Sequence, residues 1–222
     1  MHQVLLKNGI SVSFKHVQKL TKQLNSRSIM VKNYRPQSIQ PVISKENILK
    51  QDFSTKNICK KRVADITCIP TKQSGLCYLS FIMDLHIKKI ISYTFSKKMT
   101  VNYVLKTLNK EKQRYHIPEG MILHTNLGSQ YIALDIEKWL DINKIRHSYS
   151  RKGRPYDDAG SESFHDSLKK EEIFATTYLN FEEENRALFS YIDGFYHRNR
   201  FHSSIHYLTP QEFENQEKAR MT

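Results

Sequence analysis

The run Val63-Ala64-Asp65-Ile66-Thr67-Cys68-Ile69 surrounds one carboxylate with β-branched and apolar residues, the pattern of a strand that carries an acid at its middle. Downstream, Ser74-Gly75 reads as a turn and Leu76 to Met83 as a second strand, closed by the turn residues Asp84 and His86. Lys89 to Phe95 forms a third. Three consecutive strands with such short connections predict an antiparallel meander.

The periodicity then changes. Val101, Val104, Leu105 and Leu108 recur at helical spacing, Met121-Ile122-Leu123 is a short apolar strand, and a second helix is expected over about 133–143 with Ile136, Trp139 and Leu140 inward. A fifth strand near Arg146 to Ser150 leads into the basic loop Arg151-Lys152-Gly153-Arg154-Pro155 and a further helix. This order predicts an α/β fold with a mixed five-stranded sheet flanked by helices. Near the end of the chain, Phe181, Leu188, Phe189, Ile192 and Phe195 fit a helical stripe and are expected in the core.

On the amino-terminal side, residues 33–61 hold Pro36 and Pro41, scattered lysines and little periodicity, and read as a linker. Before them, Ser13 is placed to cap a helix with Phe14, Val17, Leu20 and Leu24 on one stripe and Lys15, Lys19 and Lys22 away from it. A short helix ahead of Gly9 would complete a small helix-turn-helix, a form suited to lying along DNA. The expected division is therefore a partial helix-turn-helix module over 1–32, a linker over 33–61 and an α/β core with C-terminal helices over 62–222.

The net charge of +13 is unevenly spread. Residues 1–62 hold thirteen Lys and Arg against only Glu46 and Asp52, whereas the rest of the chain is nearly balanced. Such an arm favours a polyanionic partner. No apolar stretch reaches membrane-spanning length, so a cytoplasmic, nucleoid-associated protein is expected. Cys59, Cys68 and Cys77 form no CxxC pair and read as reduced, packed thiols; there is no HExxH and no glycine-rich phosphate loop, which disfavours nucleotide hydrolysis.

Phosphodiester chemistry without a covalent protein intermediate needs hard oxygen ligands for divalent metal, converging from different elements. Asp65 in the first strand and Glu162 early in a late helix are such candidates. Their surroundings carry a resemblance. The runs around Asp65, Leu123-His124-Thr125-Asn126-Leu127-Gly128-Ser129-Gln130-Tyr131, Ser150-Arg151-Lys152-Gly153 and Tyr156-Asp157-Asp158-Ala159-Gly160-Ser161-Glu162-Ser163-Phe164 resemble bacterial insertion-sequence transposases of the DDE type, with a ribonuclease-H-like integrase core. The likeness continues through Lys169 and through Tyr196 to Pro210.

The resemblance implies cleavage at the ends of a mobile element and joining to new DNA, with two Mg²⁺ or Mn²⁺ ions in an active relative. By position, Asp65, Asn126 and Glu162 would be the catalytic and metal-binding set, thirty-five residues separating Asn126 from Glu162 as in the family pattern. Lys169, Arg151, Lys152 and Arg154, with Lys15, Lys19 and Lys22, would contact DNA. Double-stranded DNA is the implied partner, along with a homo-oligomer on DNA and an upstream helix-turn-helix protein. The pattern has Asp where this chain has Asn126, usually Arg at Leu127, Tyr at Cys68 and Trp at Val63, which implies impaired catalysis. A catalytically inactive DNA-binding remnant and a ribonuclease-H-like host nuclease acting on RNA–DNA hybrids are the rival expectations. Asp157 or Asp158 is expected to cap the helix that carries Glu162, although Asp158, four residues before Glu162, would share its face if the helix has begun there, and His124 is expected to pack or hydrogen-bond at its strand end.

Overall fold

The computed structural model describes residues 1–26, 45–151 and 155–221. Five strands form one sheet: β1 (Lys61–Thr71), β2 (Gly75–Asp84), β3 (Ile90–Ser96), β4 (Ile122–Thr125) and β5 (Arg146–Tyr149). They lie in the order β3-β2-β1-β4-β5, with β1 antiparallel to β2, β2 antiparallel to β3, and β1, β4 and β5 mutually parallel. The meander and the mixed sheet are both as the sequence reads.

Side chains alternate across β1. Val63 and Ile69 face one layer with Phe81, made by α5 (Ala159–Leu168), α6 (Phe181–Phe189) and the wide helical turns that extend them, where Phe164, Leu168, Leu188 and Ile192 are buried. Ala64 and Ile82 face the other layer, where α3 (Val101–Arg114) contributes Val104 and Leu108 and α4 (Leu134–Ile142) contributes Ile136 and Leu140. Asp65, two residues beyond Val63, therefore belongs to the α5 side. Cys68 belongs to the α3 side but beyond its cover, and it is exposed rather than packed; only Cys77 is fully buried.

The expected stripe of α6 fails at two positions. Ser190–Tyr196 winds as a π-helix, whose extra residue per turn shifts the inward face, so Tyr191, Ile192 and Tyr196 are buried while Phe189 and Phe195 face outward. A second such turn, Lys169–Ile173, follows α5. Residues 45–60, the described part of the expected linker, lie on the core: Leu49 is buried, its N–H donates to Ser148 Oγ at 3.1 Å, and Tyr149 N–H donates to Glu46 O at 3.0 Å. At the amino terminus, α1 (His2–Lys7) and α2 (Phe14–Gln23) meet through His2 and Phe14, and Ser13 accepts from His16 N–H as the expected cap. Of the α2 stripe only Val17 is buried. Lys7 anchors the pair to the carboxy-terminal helix α7 (Pro210–Met221) through Glu212, 2.9 Å away.

One buried acid makes the fold pH-dependent. Glu184 in α6 is fully buried, and among the described residues neither carboxylate oxygen has a hydrogen-bond partner. Burial pushes its carboxyl up to about 8, so it folds neutral. The unfolded chain releases this proton near the ordinary glutamate value and the folded one does not. The contribution of this group to stability is therefore fully present below about pH 4.5, falls as pH rises and is gone beyond about 8. Glu184→Gln is expected to remove that decline, its urea-unfolding advantage over the parent growing by up to about 5 kcal/mol between acid and alkaline conditions. A gap that stays constant with pH would show that Glu184 is charged in the fold.

Candidate active site

Asp65 sits at the middle of β1, opposite Phe81 of β2, and one residue beyond Ala64, which is in register with Thr125 of β4. Parallel pairing of β1 with β4 thus sets Asn126, the first residue after β4, beside Asp65. The amide closes the gap: Asn126 Nδ2 donates to Asp65 Oδ1 at 2.8 Å, and Ile66 N–H donates to the same oxygen at 2.8 Å. Gly128 N–H donates to Asn126 Oδ1 at 2.8 Å, so the oxygen end is turned to the loop and only the NH₂ end can face Asp65. Gly128 makes this possible, because a Cβ there would meet Asn126 Oδ1 at 2.7 Å.

The third member arrives on α5, which packs against β1 at Gly160. A Cβ on Gly160 would lie 3.0 Å from Leu85 and 3.3 Å from Val63, so the helix start approaches the sheet as only glycine allows. Phe164 tilts against Phe81 with ring centres 4.6 Å apart, fixing the helix's rotation. His165 is thereby turned toward Asp65, whose Oδ2 is 3.8 Å from His165 Nδ1, and Glu162 lies in the first turn of the same helix, near enough for its charge to act on Asp65. Burial first, then the neighbouring Asp158 and Glu162 carboxylates, push Asp65 up to about 7 against the pull of the Ile66 N–H and Ser161 hydroxyl. The structure thus brings Asp65, Asn126 and Glu162 together.

Asp158 is a further carboxylate near Asp65. It occupies the cap position of α5 but makes no side-chain capping bond, and its charge is felt at Asp65 more strongly than that of Glu162. Asp157 is not the cap either. It lies buried in the preceding 3₁₀ turn, accepting from Asn47 Nδ2, Gln51 Nε2 and the Arg151 backbone and side chain, and the Arg151 contacts help hold its carboxyl far below the carboxylate range. The Arg151 guanidinium is accordingly committed within the fold, through Nε at 3.0 Å from Asp157. Lys152 and Arg154 lie outside the described residues. His124 is buried between Ser148 Oγ and Asp157 O, each 2.9 Å away, and burial keeps it neutral, a structural role as expected.

Lys169 stands half-buried where α5 gives way to the π-turn, and it forms no ion pair among the described residues. The π-turn begins at that residue, so simple two-turn spacing from Glu162 does not fix its direction. Lys15, Lys19 and Lys22 are all exposed on α2 and are remote in sequence from the site.

A buried acid with two further acids around it lacks positive charge, which suits a divalent cation. The charge fits better than the donor geometry. Among the described residues no three His, Cys, Asp or Glu side chains converge as a metal cage, and Asn126 presents a donor, not a lone pair, to Asp65. Asp65 and Glu162 do carry carboxylate oxygens, the donor type that Mg²⁺ takes while keeping several waters.

Comparison with known proteins agrees with this frame. Residues 60–155 and 143–210 each match an integrase core domain. The chain is 34% identical over 172 residues to the transposase for insertion sequence element IS904 of Lactococcus lactis subsp. lactis (strain IL1403), covering 78% of this chain and 68% of that protein. It is 36% identical over 194 residues to transposase InsF for insertion sequence IS3fB of Escherichia coli (strain K12), covering 87% and 66%. It spans about two thirds of the length of these relatives. In fold it is similar to a chain of the simian T-cell lymphotropic virus intasome in complex with PP2A regulatory subunit B56 gamma, at TM-score 0.58 and 15% identity over 95% of this chain and 69% of that one. The catalytic core of BIV integrase superposes at TM-score 0.54 and 17% identity, covering 74% and 99%. The HTLV-2 integrase catalytic core in complex with magnesium does so at 0.51 and 13%, covering 71% and 97%. With a ribonuclease-H-like sheet, two integrase-core matches and transposase relatives at about 35% identity, the chain belongs to the DDE-type insertion-sequence transposases.

Proposed function

We propose that the chain acts on double-stranded DNA at the ends of a mobile element, in metal-dependent phosphodiester cleavage and strand transfer, and that Asn126 impairs it. The observation that supports this most is the hydrogen bond from the Asn126 amide to Asp65, beside Glu162. A divalent cation, when bound, would activate the attacking hydroxyl and offset charge on the leaving oxygen. Asp65 and Glu162 would hold it, and the HTLV-2 core in complex with magnesium favours that ion. Asn126 supplies neutral donors and an occupied oxygen where a carboxylate would add the charge that a second cation needs. Lys169 and the exposed lysines of α2 would meet DNA phosphates, Lys152 and Arg154 would extend that contact, and assembly of several copies on DNA is part of the same reading.

The amide bridge also favours a second reading, a DNA-binding protein that occupies element ends without cutting them. One assay separates the two. The chain is incubated with duplex carrying the element's terminal repeats and Mg²⁺ or Mn²⁺, and strand nicks are resolved on a denaturing gel. Weak nicking that disappears in Asp65→Asn and Glu162→Gln, with duplex retention unchanged, is the expected result. Retention without nicking selects the non-cutting reading, and nicking that persists in both variants defeats the assignment of the site.

A further inference from the structure

On the far side of the sheet from β4, two adjoining clefts of about 400 and 220 Å³ run along the edge strand β3, and they share Arg114 and Asp193. Asp65, Phe81 and Tyr93 form one row across β1, β2 and β3, so Tyr93 in this cleft lies two strand spacings, roughly 10 Å, from the catalytic row's acid. Phe81 and Phe164 pack between them. The clefts are thus separate from the site described above.

Their charge is lopsided. Lys106, Lys110 and Arg114 stand on the exposed side of α3 at intervals of four residues, one turn and about 6 Å apart. Arg186 of α6 and Arg198 after the π-turn face them across the clefts. Arg114, Arg186 and Arg198 form no salt bridge among the described residues. Asp193 is the acid that lines both clefts, and its oxygens are taken by Tyr93 OH at 2.6 Å and His197 Nδ1 at 3.6 Å. Like charges four apart destabilise a helix, and among the cleft-lining residues the one acid near these cations is Asp193, beside Arg114. Burial, then Arg114 and Lys106, hold the Lys110 ammonium below its usual range, while its Nζ donates to Tyr93 O at 3.1 Å.

We infer that this β3-edge groove binds the phosphate backbone of DNA, in addition to the DNA engaged at Asp65 and by the lysines of α2. The row of cations on α3, one about every two phosphates of a strand if the helix runs along the duplex axis, suits a repeating polyanion better than a single small anion. A second copy of this chain is a poor occupant, because a two-fold contact sets the same cations face to face. The inference rests on the DNA reading above.

The test uses the full chain and a fluorescent duplex of arbitrary sequence, with affinity measured across a salt series. Each lost phosphate contact reduces the slope of log affinity against log salt by about 0.9. Arg114→Gln/Arg186→Gln, both exposed, is expected to flatten that slope by about 2, and Asn185→Lys, at the cleft wall, to steepen it by about 1. Parent-like slopes in both variants, while Lys15→Gln/Lys19→Gln/Lys22→Gln flattens it, would overturn the groove and leave the DNA reading standing. A parent chain that binds no duplex removes the DNA reading itself. If the double variant alters the sedimentation mass and leaves the slope unchanged, the surface joins copies of the chain and the groove inference fails.

Discussion

Asn126→Asp is expected to lower thermal stability in the absence of metal and to raise it again when Mg²⁺ is added, whereas the parent melts at nearly the same temperature in both. In the parent, the Asn126 amide satisfies Asp65 at 2.8 Å and the Gly128 N–H satisfies the amide oxygen, so the pocket is closed by neutral hydrogen bonds. With Asp at 126 one oxygen keeps the Gly128 bond and the other faces Asp65, so two carboxylates must share a proton or repel. Losing the bond and gaining the repulsion is worth about 2 kcal/mol, roughly 4–8 °C in a domain of this size. A cation between the two acids removes the penalty and adds binding free energy, so the variant gains what the parent cannot. Activity should follow the same path: several kcal/mol of charge stabilisation corresponds to about a hundredfold or more in nicking rate. A variant that melts like the parent with and without Mg²⁺ would mean that position 126 does not face the cation, and the ligand set would have to be drawn without it.

The strands and their order of appearance were legible because they depend on short-range pattern, while the proposed trio Asp65, Asn126 and Glu162 was drawn from the resemblance. β1 announces itself by β-branched residues around Asp65, and α3 by apolar residues at helical spacing. Asn126 and Glu162 were found through motif and spacing, and the geometry explains why the spacing matters: β4 delivers one beside β1, and Gly160 lets α5 bring the other against it. What escaped the sequence depends on partners far away in the chain. The π-turns at Lys169 and Ser190 change which face is inward without any marking residue, so Phe189 and Phe195 were misassigned to the core. Asp158 stands at the N-cap position of α5 as expected but makes no side-chain capping bond, and its carboxylate lies near enough to Asp65 to raise it. Asp84 looked like a turn residue, yet it is fully buried and accepts from the N–H groups of Cys59, His86 and Ile87.

Asp84 belongs to the feature whose removal should cost the fold most. Arg62, the second residue of β1, is fully buried with Glu111 of α3 and Asp84 of β2. Its Nη1 donates to Glu111 Oε1, its Nη2 to Cys59 Sγ at 3.0 Å and to His116 O at 3.4 Å, and its Nε lies 3.8 Å from Asp84. One guanidinium thus ties the last turn of α3 to the ends of β1 and β2. Burial pushes the Glu111 carboxyl up even with that guanidinium beside it, a sign of how costly the charge becomes alone. Arg62→Met leaves two buried acids without their counter-ion, and a cost of about 3–5 kcal/mol is expected, roughly 10 °C or more in melting temperature. Arg62→Met/Glu111→Met fills similar volume without the stranded charge and should recover most of the loss. The strong non-additivity is the signature to measure by urea unfolding, since independent packing losses would add. If the double variant is less stable than the single by the full cost of Glu111→Met alone, the pair is not coupled, and α3 is held to the sheet by its apolar face through Val104 and Leu108 instead.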